Sequence, residues 1–161
     1  MSLFFYFHIK LVAIWFGETV IAKDVKYGEN FKYIDPVNIY GCEFGDNVFV
    51  GPFVEIQNNV KVGSNTRIQS HTFICSDVEI GNNCFVGHGV MFTNDSFANG
   101  KVNFDPPFEK TNIGNNVLIG SNSTLLAISI VDNVIIGAGS VVTKNITEPG
   151  VYFGNPAKKR K

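Results

Sequence analysis

Between residues 44 and 93 the chain sets large apolar positions on a fixed period of six. A large aliphatic or aromatic side chain returns at Phe44, Val50, Ile56, Val62, Ile68, Ile74, Ile80, Val86 and Phe92. A second series, small or β-branched, runs two residues ahead of it, through Val48, Val54, Val60, Thr66, Thr72, Val78, Cys84 and Val90. The residue after each large one is usually Gly, and the next places are Asn, Asp, Ser or Pro. Helical spacing and simple strand alternation both fail to give two locked series at six. A two-residue strand followed by a tight turn on each face of a prism gives both. The pattern predicts an all-β parallel β-helix with a stacked aliphatic core, whose Gly and Asn corners tolerate positive φ.

The lattice extends in both directions from this stretch. It begins at Ile21, passes Tyr27, Tyr33 and Ile39, and contracts by one residue at the corner before Phe44. It stops after Thr93 and resumes at Ile113, running on through Ile119, Leu125, Ile130, Ile136 and Val142 with a second contraction before Ile130. The expected layout is an N-terminal cap segment at 1–20, a β-helix at 21–150 with an extruded loop at 94–112, and a basic tail at 151–161. A corner needs only a residue or two, so the loop must leave the prism, and long loops in compact domains are usually functional. Phe97, Phe104 and Phe108 give it apolar anchors. Residues 1–20 are very apolar, but Lys10 interrupts them before a membrane span is reached.

Composition narrows the function class. A net charge of −1 gives no electrostatic argument for nucleic acid or an anionic membrane. Three cysteines lie on the repeat lattice without CxxC spacing, the pattern of reduced structural thiols in a cytoplasmic protein, and no metal site is expected.

Few residues can carry chemistry. His71 and His88 are seventeen residues apart, nearly one coil, and belong to one edge of successive coils, expected on the side where the loop emerges. Asn94 and Asp95 follow one hexad later, where the loop departs. Gln57 and Gln69 stand in Gly positions twelve residues apart, on two different faces. The plain alternative is that each of these polar residues caps a corner. IGAGSVV at 136–142 places Gly and Ala where a ligand can approach backbone amides closely. The terminal Lys158-Lys159-Arg160-Lys161 is either a frayed terminus or a clamp for a ligand phosphate.

The hexad lattice with IGSNSTLL, VIIGAGSVVTKNI and PGVYFGNPAKKRK resembles the left-handed β-helix acyltransferases. Within them, VFVGPFVEIQNNVKVGSNTRIQSHTFIC and FVGHGVMFTND resemble the N-acetyltransferases that act on nucleotide-linked 3-amino sugars. The nearest types are the UDP-2-acetamido-3-amino-2,3-dideoxyglucuronate and dTDP-3-amino-3,6-dideoxyhexose enzymes. The resemblance covers about 21–161; residues 1–20 and the loop 96–112 depart from it. It implies a left-handed coil, a homotrimer with sites between subunits, acetyl-CoA as cosubstrate, and bacterial surface-polysaccharide biosynthesis in the cytoplasm. It makes Asn94 and His88 the catalytic candidates, with Gln69, His71 and Asp95 toward the sugar nucleotide. Backbone near Gly120 or Ala138 would bind the pantetheine arm or an oxyanion, and Lys158 the CoA 3′-phosphate. A glucuronate substrate would call for a cation, with Lys101, Lys110 and Arg67 available.

Two competing readings stay in view. An O-acetyltransferase of the same architecture needs an obligatory base for a hydroxyl of high pKa. A trimeric zinc β-helix carbonic anhydrase needs three histidines, whereas the prism holds only His71 and His88.

Overall fold

A computed structural model describes residues 24–95, 97, 100–104 and 107–161. The N-terminal cap expected at 1–20, and the lattice position at Ile21, lie outside the described residues. The first coil is β1 (Lys26–Tyr27), β2 (Lys32–Tyr33) and β3 (Asn38–Ile39), and the second is β4 (Glu43–Phe44), β5 (Phe49–Val50) and β6 (Glu55–Ile56). The third is β7 (Lys61–Val62), β8 (Arg67–Ile68) and β9 (Phe73–Ile74), and the fourth β10 (Val78–Ile80), β11 (Phe85–Val86) and β12 (Met91–Phe92). The fifth is β13 (Thr111–Ile113), β14 (Leu118–Ile119) and β15 (Thr124–Leu125), and the sixth β16 (Ser129–Ile130), β17 (Val134–Ile136) and β18 (Val141–Val142). A seventh coil opens with β19 (Gly150–Phe153), and β20 (Lys158–Lys159) folds back on it.

Each strand pairs in parallel with the strands one coil away, so three sheets form the faces of the prism. The first face starts at β1, the second at β2 and the third at β3. Partners are 18 residues apart where the hexads are intact, as in Phe49↔Arg67. They are 17 apart across the two contracted corners, as in Lys26↔Glu43 and Asn112↔Ser129. Both contractions fall where the third face turns into the first.

The two sequence series are the core. Val50, Ile56, Ile68, Ile74, Val86 and Phe92 have no solvent exposure, and Val48, Val54, Val60, Val78 and Val90 interleave with them. Polar members of the small series find carbonyls at the corners. Thr66 Oγ1 donates to Gly81 O at 3.0 Å, Thr72 Oγ1 to Gly87 O at 3.0 Å, and Ser140 Oγ to Gly137 O at 2.6 Å. Thr111 is the exception, buried with a hydroxyl that meets no partner. Among the described lattice positions Tyr27, in the first coil, departs most from burial, at 60% exposed.

The outer surfaces of the faces differ. The first carries a charge ladder, with Lys26 Nζ 2.8 Å from Glu43 and Lys61 Nζ 4.0 Å from Glu79. The second leaves Phe85, Leu118 and Ile135 exposed in one column, with the Arg67 guanidinium 4.4 Å from the Phe49 ring centre below them. No helix among the described residues is long and apolar enough to cross a membrane.

Two boundaries differ from the sequence reading. The loop returns one small-series residue earlier, since Thr111 already pairs with Val78. The C-terminal residues stay on the prism, where β19 extends the second face beside β17 and β20 pairs antiparallel with it. Arg160 N donates to Val151 O at 2.7 Å, and Lys159 Nζ meets Glu148 at 2.8 Å, so the basic end is an ordered hairpin.

Candidate active site

The three corners can be told apart by how they treat their middle amide. Between the first and second faces the middle amides of the first five coils are each capped by the side chain one coil on. Asp46 N donates to Ser64 Oγ, Ser64 N to Asn82 Oδ1, Asn82 N to Asn115 Oδ1, and Asn115 N to Asp132 Oδ1, at 2.8–3.0 Å. Asn side chains add a second ladder there, Asn47 to Asn65 and Asn116 to Asn133. This corner is closed upon itself.

The corner between the second and third faces is built differently. Its middle residues, from the second coil upward, are Pro52, Ser70, His88, Ser121 and Ala138. Among the described residues, the amides of Ser70, His88, Ser121 and Ala138 donate to no protein acceptor. The corner therefore presents a column of N–H donors, about 4.8 Å apart as coils are spaced. Such a column suits a ligand carrying several carbonyl or phosphate oxygens. His88 and His71 both stand on it and are exposed, so the shared edge read from their spacing holds. Ser70 Oγ lies 2.8 Å from His88 Nδ1, which fixes the ring and leaves Nε2 facing outward. Sequence reasoning missed Ser70, although its eighteen-residue offset from His88 marks it as the residue one coil below.

The loop leaves from a different edge. β12 lies on the third face, so Asn94 and Asp95 stand at the next corner, one face away from the histidines. The expectation that loop and histidines share an edge is corrected, because six residues carry the chain across one whole face. Asn94 is half-buried there, next to Thr93, whose amide donates to Leu125 O at 2.9 Å. Asp95 spends both carboxylate oxygens on the loop itself, Oδ1 accepting from Phe97 N at 2.9 Å and Oδ2 from Asn103 N at 2.7 Å. It ties the base of the loop rather than offering a free carboxylate. Phe97 and Phe104 are 59% and 83% exposed, so they do not anchor the loop on this prism.

The remaining candidates divide in the same way. Gln69 is half-buried at the histidine corner beside Ser70, whereas Gln57, on another corner, accepts from Ser76 N and Ser76 Oγ in a local cap. The Gly120 amide is taken by Ile136 O at 2.8 Å, and a Cβ there would stand 2.7 Å from Ala138 Cα, so this glycine serves coil stacking. Of the two backbone positions expected to bind ligand, Ala138 alone keeps a free N–H. Lys158 is exposed on β20, close in sequence to Ala157, whose amide bonds Val141 O beside that corner. A groove of about 520 Å³ runs along the charged first face past Glu43, Lys61 and Glu79, and no candidate residue lines it. Cys42, Cys75 and Cys84 are free and buried; burial pushes the first two thiols up to about 12 and about 11.

Comparison with known proteins agrees with this architecture. Residues 41–76 match the bacterial transferase hexapeptide (six repeats), and residues 110–144 the hexapeptide repeat of succinyl-transferase. The chain superposes on AntD, an N-acyltransferase from Bacillus cereus in complex with dTDP and coenzyme A, with a TM-score of 0.71, 20% identity, and 84% and 82% of the two chains covered. It has the hexapeptide-repeat acyltransferase fold. The same fold is found in perosamine N-acetyltransferase from Caulobacter crescentus, in complex with CoA and GDP-perosamine, at TM-score 0.64 and 18% identity over 96% of this chain and 63% of that one. A maltose O-acetyltransferase from Clostridium difficile 630 shares it at TM-score 0.63 and 22% identity, over 96% of this chain and 83% of that one. In sequence, a stretch of 55 residues is 49% identical to the bifunctional protein GlmU of Streptococcus uberis, covering 33% of this chain. The chain spans 12% of the length of that relative.

Proposed function

We propose that this chain is an acetyl-CoA-dependent N-acetyltransferase for the 3-amino group of a nucleotide-linked sugar. The observation that carries the reading is the histidine corner, which combines an oriented imidazole with a rising column of unused backbone amides. Such amides suit the carbonyls of a pantetheine arm and the oxygen that becomes negative during acyl transfer. The exposed Lys158 on the terminal hairpin supplies the point charge for a phosphate at the far end. Neighbours of the same fold holding CoA with dTDP or a nucleotide-linked amino sugar support the substrate classes.

The chemistry asks little covalent work of the protein. The amine nitrogen attacks the acetyl carbonyl carbon, the C–S bond breaks, and one amine proton leaves to a base or to the departing thiolate. Asn94 holds the amine through its side-chain oxygen and aims the lone pair, so positioning provides much of the rate. His88, held by Ser70, takes the proton through Nε2. Ala138 N–H steadies the carbonyl oxygen. Gln69 and His71 face the sugar nucleotide, and Asp95 acts through the loop it ties.

Asn94 and His88 stand one face apart within one prism, so the reading brings them together across neighbouring copies in a homotrimer. The exposed Phe85, Leu118 and Ile135 column and the outward Phe97 and Phe104 are the apolar surfaces that assembly would cover. The product class fits cytoplasmic synthesis of a surface polysaccharide.

The test is CoA release from acetyl-CoA with UDP- and dTDP-linked 3-amino sugars, using 4-amino sugars and simple hydroxyl acceptors as controls. Turnover confined to a 3-amino sugar, with Asn94→Ala losing far more activity than Lys161→Ala, is the expected result. The fold shared with a maltose O-acetyltransferase supports the second reading. Turnover only on hydroxyl acceptors would establish it, with His88→Ala near-inactive.

A further inference from the structure

The outermost residue of the histidine corner forms its own column of Phe53, His71, Gly89, Asn122 and Gly139, all at positive φ between 56° and 67°. L-residues adopt that region at a steric cost, and Asn, Asp and Gly bear it best. Elsewhere on the described prism, every non-glycine residue at positive φ is Asn or Asp. Phe53 and His71 break that rule on successive coils. Their rings stack 4.9 Å apart with planes 9° from parallel. The strain is not offset by burial, since Phe53 is 57% exposed and His71 is exposed as well. Strain held at an exposed position calls for a function outside the fold.

Directly above His71 the column loses its side chain at Gly89. Asn122, one coil further, swings its carboxamide oxygen toward the place a Gly89 Cβ would fill. That side chain has no protein hydrogen-bond partner among the described residues. The result is a two-ring shelf with one missing rung, and an amide presenting acceptor and donors at its edge.

We infer that the Phe53–His71 shelf binds the base of a pyrimidine nucleoside diphosphate, stacked on His71 in the Gly89 rung with Asn122 on its edge. A planar ring restores the stack interrupted at Gly89. The imide of uracil or thymine offers one N–H and flanking carbonyls, which a carboxamide complements. The base then lies level with His88 and one coil below Ser121, with the acyl donor higher along the same edge. This inference deepens the proposed N-acetyltransferase reading and rests on it for the identity of the ligand.

The test uses the full chain with Phe53→Asn, His71→Asn and both together, because Asn suits positive φ and removes only the ring. Binding of UDP, dTDP and CoA is measured by calorimetry, alongside melting temperature, sedimentation and KM for the amino-sugar nucleotide. The expected result is UDP or dTDP affinity weaker by about 5- to 150-fold, the range for one lost base–aromatic stack. CoA affinity and sedimentation stay unchanged, and melting temperature is equal or higher. Weakened CoA with intact UDP and dTDP would overturn the inference in favour of the adenine. Altered sedimentation with intact nucleotide affinity would overturn it in favour of a contact between copies. If wild-type protein acetylates the amino sugar while the variants keep its KM, the shelf fails and the activity stands. If ring loss weakens the nucleotide but no acetylation occurs, the activity fails and the shelf stands.

Discussion

His88 gains its value from the residue one coil below it. Ser70 can donate to Nδ1 or accept from it, so the pair settles the ring and exposes Nε2 whichever way the hydroxyl turns. Ser70→Ala should lower kcat about tenfold with KM for acetyl-CoA unchanged. Added to His88→Ala it should cost almost nothing more, because the two act as a unit. For an amine substrate His88→Ala itself should cost no more than about a hundredfold, the lower end of general-base effects. The cysteines behave oppositely, because burial keeps them neutral. Folded Cys42 and Cys75 resist ionisation up to about 12 and about 11, while unfolded thiols ionise from their ordinary value near 9. Their contribution to stability is thus complete below pH 9 and is lost as pH rises from there. The urea midpoint should fall more steeply above pH 9 in the native sequence than in Cys75→Ala. At pH 8, iodoacetamide should label none of the three until urea is added.

At the scale of elements, the loop and the corners repay comparison with the sequence. Asp95→Ala removes two amide acceptors from the loop base, so it should raise KM for the sugar nucleotide several-fold and leave KM for acetyl-CoA alone. Limited proteolysis between residues 95 and 110 should quicken in the same variant. Thr111→Val should hold or raise the melting temperature, since it deletes a buried hydroxyl that bonds nothing. The faces were legible from the chain because inward positions recur at six wherever the hexads are intact and burial tolerates few exceptions. The corners were half legible. His71 and His88 could be placed on one edge by counting coils, and Asn94 could have been placed one face on by the same count. What counting could not supply is whether a corner amide is capped. Asn82 and Ser121 hold equivalent places in their hexads, yet one caps its neighbour's amide and the other does not. That difference depends on side-chain direction, which periodicity does not encode. The partners of Asp95 were not legible for a related reason, since they come from backbone two and eight residues away in a segment without a repeat.

For the whole molecule, nearly all long-range contacts join neighbouring coils, so stability is a sum of coil-to-coil interfaces. Ile68→Ala, at zero exposure in the third coil, should cost about 2–5 kcal/mol in urea unfolding, the usual cost of emptying a core site. The ladders of backbone bonds that join the coils all run along the axis of the prism. A chain held by its two ends and stretched would therefore load those bonds a few at a time, as a zip is loaded, and not all at once. Each coil released would add about 60 Å of slack, from eighteen residues drawn out straight. Under tension the molecule should pay out in even steps, with one irregular, longer step where the loop before Thr111 comes free.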